Sequence, residues 1–172
     1  MPLQGKFIVN NESFEPLVMY GVGTFMAFSG NDIYRNRGGC SAVKDKGPIP
    51  AGKYWIVDRP TGGLASRGEA WVKDTLNSAL GKPSHHDEWF ALYRDDGMID
   101  DWTWVNGIKR GNFRLHPVGG RGVSLGCITL WSYVEFQTLR RALLNTKTVP
   151  ARNSGLNAYG LIEIVTYGNT CP

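Results

Sequence analysis

No stretch of this chain stays apolar for the roughly 18 residues that a membrane-spanning helix needs. Residues 1–16 also lack the basic start and following apolar block of a secretory signal. The expectation is a chain made in the cytoplasm without a signal peptide and with no membrane span. Charge of one sign is nowhere concentrated: 19 Lys and Arg against 15 Asp and Glu give a net charge of +4, carried by single residues and not by a block. Without a basic helix or an RNA-binding aromatic signature, nucleic acid is not an expected partner. A mildly cationic surface suits an anionic polymer such as a cell wall. Neither a Gly/Ser- or Pro-rich linker nor an internal repeat divides the chain, so residues 1–172 are read as one domain.

Cysteine and histidine are scarce, with three of each. Cys40, Cys127 and Cys171 fit no zinc spacing. His85, His86, Asp87 and Glu88 are a poor metal site, because neighbouring residues entering a strand point to opposite faces. No metal and no cofactor is expected. An odd number of cysteines fits one pair plus one thiol, and Cys127 has the best case for the thiol. Cys40 and Cys171 then pair if the protein works in an oxidising place; in a reducing one, all three stay thiols. The residues alone leave both open.

Glycine, in contrast, is abundant: 22 residues, scattered through turns. With 42% apolar and 20% charged residues, the chain reads as globular and rich in short strands. "KFIVN" (6–10), "LVMYGVGTFMAFSG" (17–30, bent at its glycines) and "KYWIVDR" (53–59) read as strands. So do "EWFALYRDDG" (88–97), "DWTWVNGIKRGNFRLHP" (101–117), "GCITL" (126–130) and "GLIEIVTYG" (160–168). "DKGPIPAG" (45–52) is a rigid turn set by Pro48 and Pro50. Two helices are expected. Residues 66–81 open on a capping box of Ser66 with Glu69 and stop at Gly81; a second begins at Ser132 with Glu135 and carries Phe136, Leu139 and Leu143 at helical spacing. The reading is about seven strands and two helices in one β-rich domain of mixed sheet.

In "FRLHPVGGRGVSLGCITL" (113–130), His116 ends one apolar run and Cys127 begins another, across a glycine-rich loop. A thiol with a pKa near 8.5 is mostly protonated at neutral pH, and an imidazole within reach can take that proton and return it to a leaving group. Gly126 removes bulk beside Cys127, so that backbone N–H groups there can face an oxyanion. The bland alternative is a small core cysteine and a structural histidine.

"SLGC" after an upstream histidine resembles the signature of the L,D-transpeptidase (YkuD-type) catalytic domain, and is closer to the divergent branch found among type VI secretion effectors. "GPIPAGKYWIV", "AFSGN" and "WFALYRDDG" carry the same resemblance. It implies a mainly β domain with two helices, a sandwich or barrel of L,D-transpeptidase type. It implies Cys127 as nucleophile and His116 as base, with Ser124 and Gly126 supporting the loop and the oxyanion. Leu125 stands where ordinary members have the motif histidine, and the His–Cys spacing is shorter. Arg114 shares a strand face with His116; it could grip a substrate carboxylate or be one more solvated arginine. Arg121 is a second candidate for substrate binding. The implied substrate is the peptidoglycan peptide stem, attacked to give a thioester and completed as an L,D-carboxypeptidase or L,D-transpeptidase. The implied setting is an antibacterial effector handled by a secretion apparatus component, active in the periplasm of a target cell and countered by a cognate immunity protein. The rival is a non-catalytic cell-wall-binding module on the same fold.

Overall fold

The computed structural model describes residues 2–59, 88–118, 126–168 and 171. Eleven strands and one α-helix occur among them: β1 (Leu3–Val9), β2 (Glu15–Met19), β3 (Gly23–Phe28), β4 (Gly52–Asp58), β5 (Phe90–Arg94), β6 (Trp102–Val105), β7 (Ile108–Gly111), β8 (Arg114–Pro117), β9 (Ile128–Leu130), α1 (Tyr133–Asn145), β10 (Val149–Pro150) and β11 (Asn157–Thr166). Eight strands run in the order β1-β2-β3-β9-β8-β5-β4-β11, and pairing of β1 with β11 closes them into a barrel. Closure pairs each of these eight strands with a neighbour on both sides, and β10 pairs with Asn157 and Ala158 at the start of β11. β6 and β7 form a separate two-stranded sheet.

The expected architecture of two helices with seven strands, in a sandwich or barrel of L,D-transpeptidase type, is therefore corrected to a closed eight-stranded barrel with one described helix. The helix expected over 66–81 lies outside the described residues. The strand count rose because two long apolar segments fold back on themselves. The segment 17–30 breaks after Met19 into β2 and β3, with Gly21 at φ +80°. The segment 101–117 turns at Asn106 and Gly107, both in the left-handed region (φ +49° and +79°) that a two-residue hairpin loop requires.

Alternation of side chains fills the interior. Phe7 and Val9 of β1, Leu17 and Met19 of β2, Ile162 and Ile164 of β11, and Leu115, Ile128 and Leu130 of β8 and β9 share one core cluster. The closing seam is tight: a Cβ on Gly160 would lie 2.5 Å from the carbonyl oxygen of Leu3, its partner across the seam. Helix α1 starts at Ser132, whose Oγ accepts from the Glu135 N–H at 3.2 Å, and it buries Phe136, Leu139 and Leu143 in the same core. No helix among the described residues is long and apolar enough to cross a membrane.

Cys40, at the end of a 3-10 turn (Gly38–Cys40), is joined to Cys171 by a disulfide with Cα atoms 5.0 Å apart. The bridge ties together positions 131 residues apart and holds the chain beyond β11 against the loop before β4. Removing it in a Cys40→Ser/Cys171→Ser variant is expected to lower the unfolding free energy by about 2–4 kcal/mol, because the unfolded chain regains the freedom of a long loop. Urea unfolding of both proteins checks this, and equal midpoints at equal slope would contradict it.

Candidate active site

His116 and Cys127 sit on β8 and at the entry to β9, and those two strands are parallel neighbours. The register pairs Leu115 with Ile128, His116 with Thr129 and Pro117 with Leu130. Leu115, Ile128 and Leu130 point into the core, so His116 and Thr129 alternate to the other face. Cys127 precedes Thr129 by two residues and falls opposite Arg114. The backbone N–H of Arg114 bonds the Cys127 sulfur, and the thiol in turn donates to the Asn112 carbonyl at 3.7 Å. Nucleophile and base candidates thus occupy one face of two adjacent strands, diagonally placed, with Cα atoms on the order of 8 Å apart from strand spacing and rise. Both are buried, at 8% and 5% exposure.

The imidazole is fixed on three sides. Its Nδ1 lies 2.7 Å from the Pro117 carbonyl oxygen, which can only accept. In the neutral ring Nδ1 therefore carries the proton and Nε2 holds the lone pair. Nε2 faces the Thr129 hydroxyl at 3.4 Å. Trp89 stacks on the ring, with centroids 4.1 Å apart and planes inclined by 17°. This stack continues the β5–β8 register, in which Phe90 pairs with Leu115, so Trp89 falls beside His116. Glu88 just before it accepts from Tyr133 Oη at 3.0 Å and from the Gln137 side-chain amide, so α1 anchors the residue that leads into Trp89.

Two arginines flank the thiol. Arg114 forms a two-pronged ion pair with Asp101, both N–O distances 2.8 Å, and is largely buried. It is not a solvated arginine, and its fork is turned to a carboxylate of the same chain. Arg110 is buried: it donates to the carbonyls of Ser41, Pro48 (3.2 Å) and Gly47 (2.9 Å), and packs over Phe113 at 5.4 Å. Gly126, at φ +98°, lies against this guanidinium; a Cβ there would be 2.5 Å from Arg110 Nη2 and 3.0 Å from the Phe113 ring. Glycine is required on both counts, by its backbone angle and by the close approach.

Trp89, Thr129, Asp101 and Arg110 were not singled out from the sequence. Thr129 had a signal, since two residues after Cys127 on a strand shares its face. Asp101 and Arg110 had none. Ser124, Arg121 and Leu125 lie outside the described residues, as do His85, His86 and Asp87. Among the described residues no cluster of His, Cys, Asp and Glu could hold a metal ion.

Cys127 keeps its thiol, and burial pushes its pKa up to about 11; the Arg114 N–H and the two guanidinium groups oppose this without outweighing it. At pH 7 a group with that pKa is ionised in roughly one molecule in 10⁴. Alkylation of the folded protein by iodoacetamide is therefore expected to rise about tenfold per pH unit between 7 and 10. A rate already flat below pH 8 would show instead that His116 holds the sulfur as a resting thiolate.

A family model described as the Tlde1 domain matches residues 23–153, from the start of β3 to beyond β10, and so includes His116, Cys127, Arg110 and Arg114. No curated protein matches the chain. No solved structure matches it. The match covers more than half of the 172 residues, and the chain belongs to the Tlde1 domain family, a family of type VI secretion effector domains.

Proposed function

We propose that this effector domain is a cysteine enzyme that acts on the tetrapeptide stems of peptidoglycan through a thioester. The observation that carries the reading is the β8–β9 register, with a thiol and a tautomer-fixed imidazole on one face. Nε2 takes the proton from Cys127 Sγ as the sulfur attacks the carbonyl of the third stem residue. The N–H of Cys127, unobstructed by a side chain at Gly126, faces the oxyanion. The C–N bond to the terminal D-Ala then breaks, and the imidazolium returns the proton to the departing amine. Water, activated by the same Nε2, hydrolyses the thioester and completes an L,D-carboxypeptidase cycle. An amine in place of water, from a second stem or a free D-amino acid, completes a transpeptidation.

The raised thiol pKa fits a base that removes the proton during attack, in place of a thiolate waiting at rest. Loss of tetrapeptides would deprive a target cell's wall of cross-linking partners, which suits an effector acting in the periplasm. An immunity protein that covers this face, and a component of the secretion apparatus that carries the domain, complete the proposal. The burial of Cys127 would also suit a cell-wall-binding module without chemistry.

Incubation with disaccharide-tetrapeptide, followed by mass spectrometry, separates the two. Loss of one D-Ala per stem is expected from the native protein. Cys127→Ala is expected to abolish it, and His116→Ala to slow it by about 10²–10⁴-fold. D-Ala release by folded Cys127→Ala at the native rate would remove Cys127 from the chemistry.

A further inference from the structure

The β6–β7 hairpin stands outside the barrel as its own sheet, and its outer face is unusual. Cross-strand partners share a face, so Trp102 with Gly111 and Trp104 with Lys109 present two indoles, one ammonium and a glycine on the same side. Trp104 is 63% and Trp102 42% exposed. Trp102 lies across the Gly111 backbone, where a Cβ would meet its ring at 2.4 Å, and Lys109 Nζ sits 4.4 Å from its ring centre. The opposite face is bolted down. Thr103 accepts from Arg94 at 3.1 Å and donates to Asp96 at 2.7 Å, and Arg110 is held by the three loop carbonyls. The aromatic face is therefore pre-set and requires little ordering on binding.

Both roots of the hairpin run into the candidate active site. Asp101, directly before Trp102, grips Arg114, and Asn112, directly after Gly111, accepts from Cys127 Sγ. From Asn112 along β7 to Lys109, the partner of Trp104, is three residues, about 10 Å of strand. Three stem residues separate the attacked carbonyl from the sugar that bears the stem, and their extended reach is also about 10 Å.

We infer that Trp102, Trp104 and Lys109 form a docking platform for the glycan backbone of peptidoglycan, which rests on the reading of Cys127 as a nucleophile for its stems. The indoles stack on the C–H faces of the N-acetylated pyranoses, and the Lys109 ammonium donates to their ring substituents or to an acidic group of the attached stem. The hairpin thereby sets which stem enters: one still attached to its sugar, with its third residue delivered to Cys127.

The test uses the whole chain carrying Cys127→Ala, which cannot turn over, and peptide-free glycan strands prepared by removing the stems enzymatically. Binding is read by calorimetry and by quenching of tryptophan fluorescence. Strand binding is expected, weakened at least tenfold by Trp104→Ala and several-fold by Lys109→Ala, with thermal unfolding unchanged. Trp104→Phe, which keeps a flat ring, is expected to retain part of the affinity. No binding of glycan strands by the Cys127→Ala protein, or binding unaffected by both Trp104→Ala and Lys109→Ala, would overturn the platform. So would loss of binding to a protein partner, and not to glycan, in Trp104→Ala. D-Ala release by the native protein without strand binding would sink the platform alone; strand binding lost in Trp104→Ala, with no D-Ala release by the native protein, would support the platform and sink the enzymatic reading.

Discussion

The parallel pairing of β8 with β9 is the constraint on which the candidate site depends. Two adjacent parallel strands cannot be joined by a tight turn; the chain must travel back to the starting end before the second strand begins. The sequence between the end of β8 and Cys127 is accordingly longer than a hairpin loop needs and rich in glycine. The register then decides everything chemical. With Leu115 opposite Ile128, the core takes Leu115, Ile128 and Leu130, and the other face takes Arg114, His116, Cys127 and Thr129. A slip of one residue in β9 would send Cys127 into the core and Ile128 to the imidazole. Burial of Ile128 and Leu130 is thus what places the thiol.

That register is held from two directions. On one side, α1 reaches Glu88 through Tyr133 and Gln137, and Trp89 beside it stacks on His116. On the other, Arg110 gathers the carbonyls of Ser41, Gly47 and Pro48 and packs against Gly126, one residue from the thiol. Leaving a buried guanidinium without those acceptors would cost several kcal/mol, so the loop and the arginine hold each other in place. The loop begins at the disulfide of Cys40. Stability supplied at a distance therefore converges on the residue just before Cys127.

Local features of this fold were legible in the sequence and long-range ones were not. Helix α1 follows from Ser132, Glu135 and the spacing of Phe136, Leu139 and Leu143, all within one segment. His116 and Cys127 stood out because a rare histidine and a rare cysteine flanked one glycine loop. The hairpin at Asn106–Gly107 was readable from that dipeptide, yet the apolar run around it suggested a single long strand. Barrel closure could not be read, since β1 and β11 meet from opposite ends of the chain. Arg110 was equally hidden, because its acceptors lie 62 to 69 residues away. Asp101 was hidden for a related reason: only the fold of β6–β7 over the barrel brings it to Arg114.

The central claim is that Cys127 Sγ becomes bonded to the stem during the reaction. Intact-protein mass spectrometry of acid-quenched mixtures with tetrapeptide substrate tests it most directly. An adduct with the mass of the stem acyl group less D-Ala is expected, located at Cys127 and released by neutral hydroxylamine as a thioester is. D-Ala release under conditions in which no such adduct forms at any quench time, or an adduct on another residue, would contradict it.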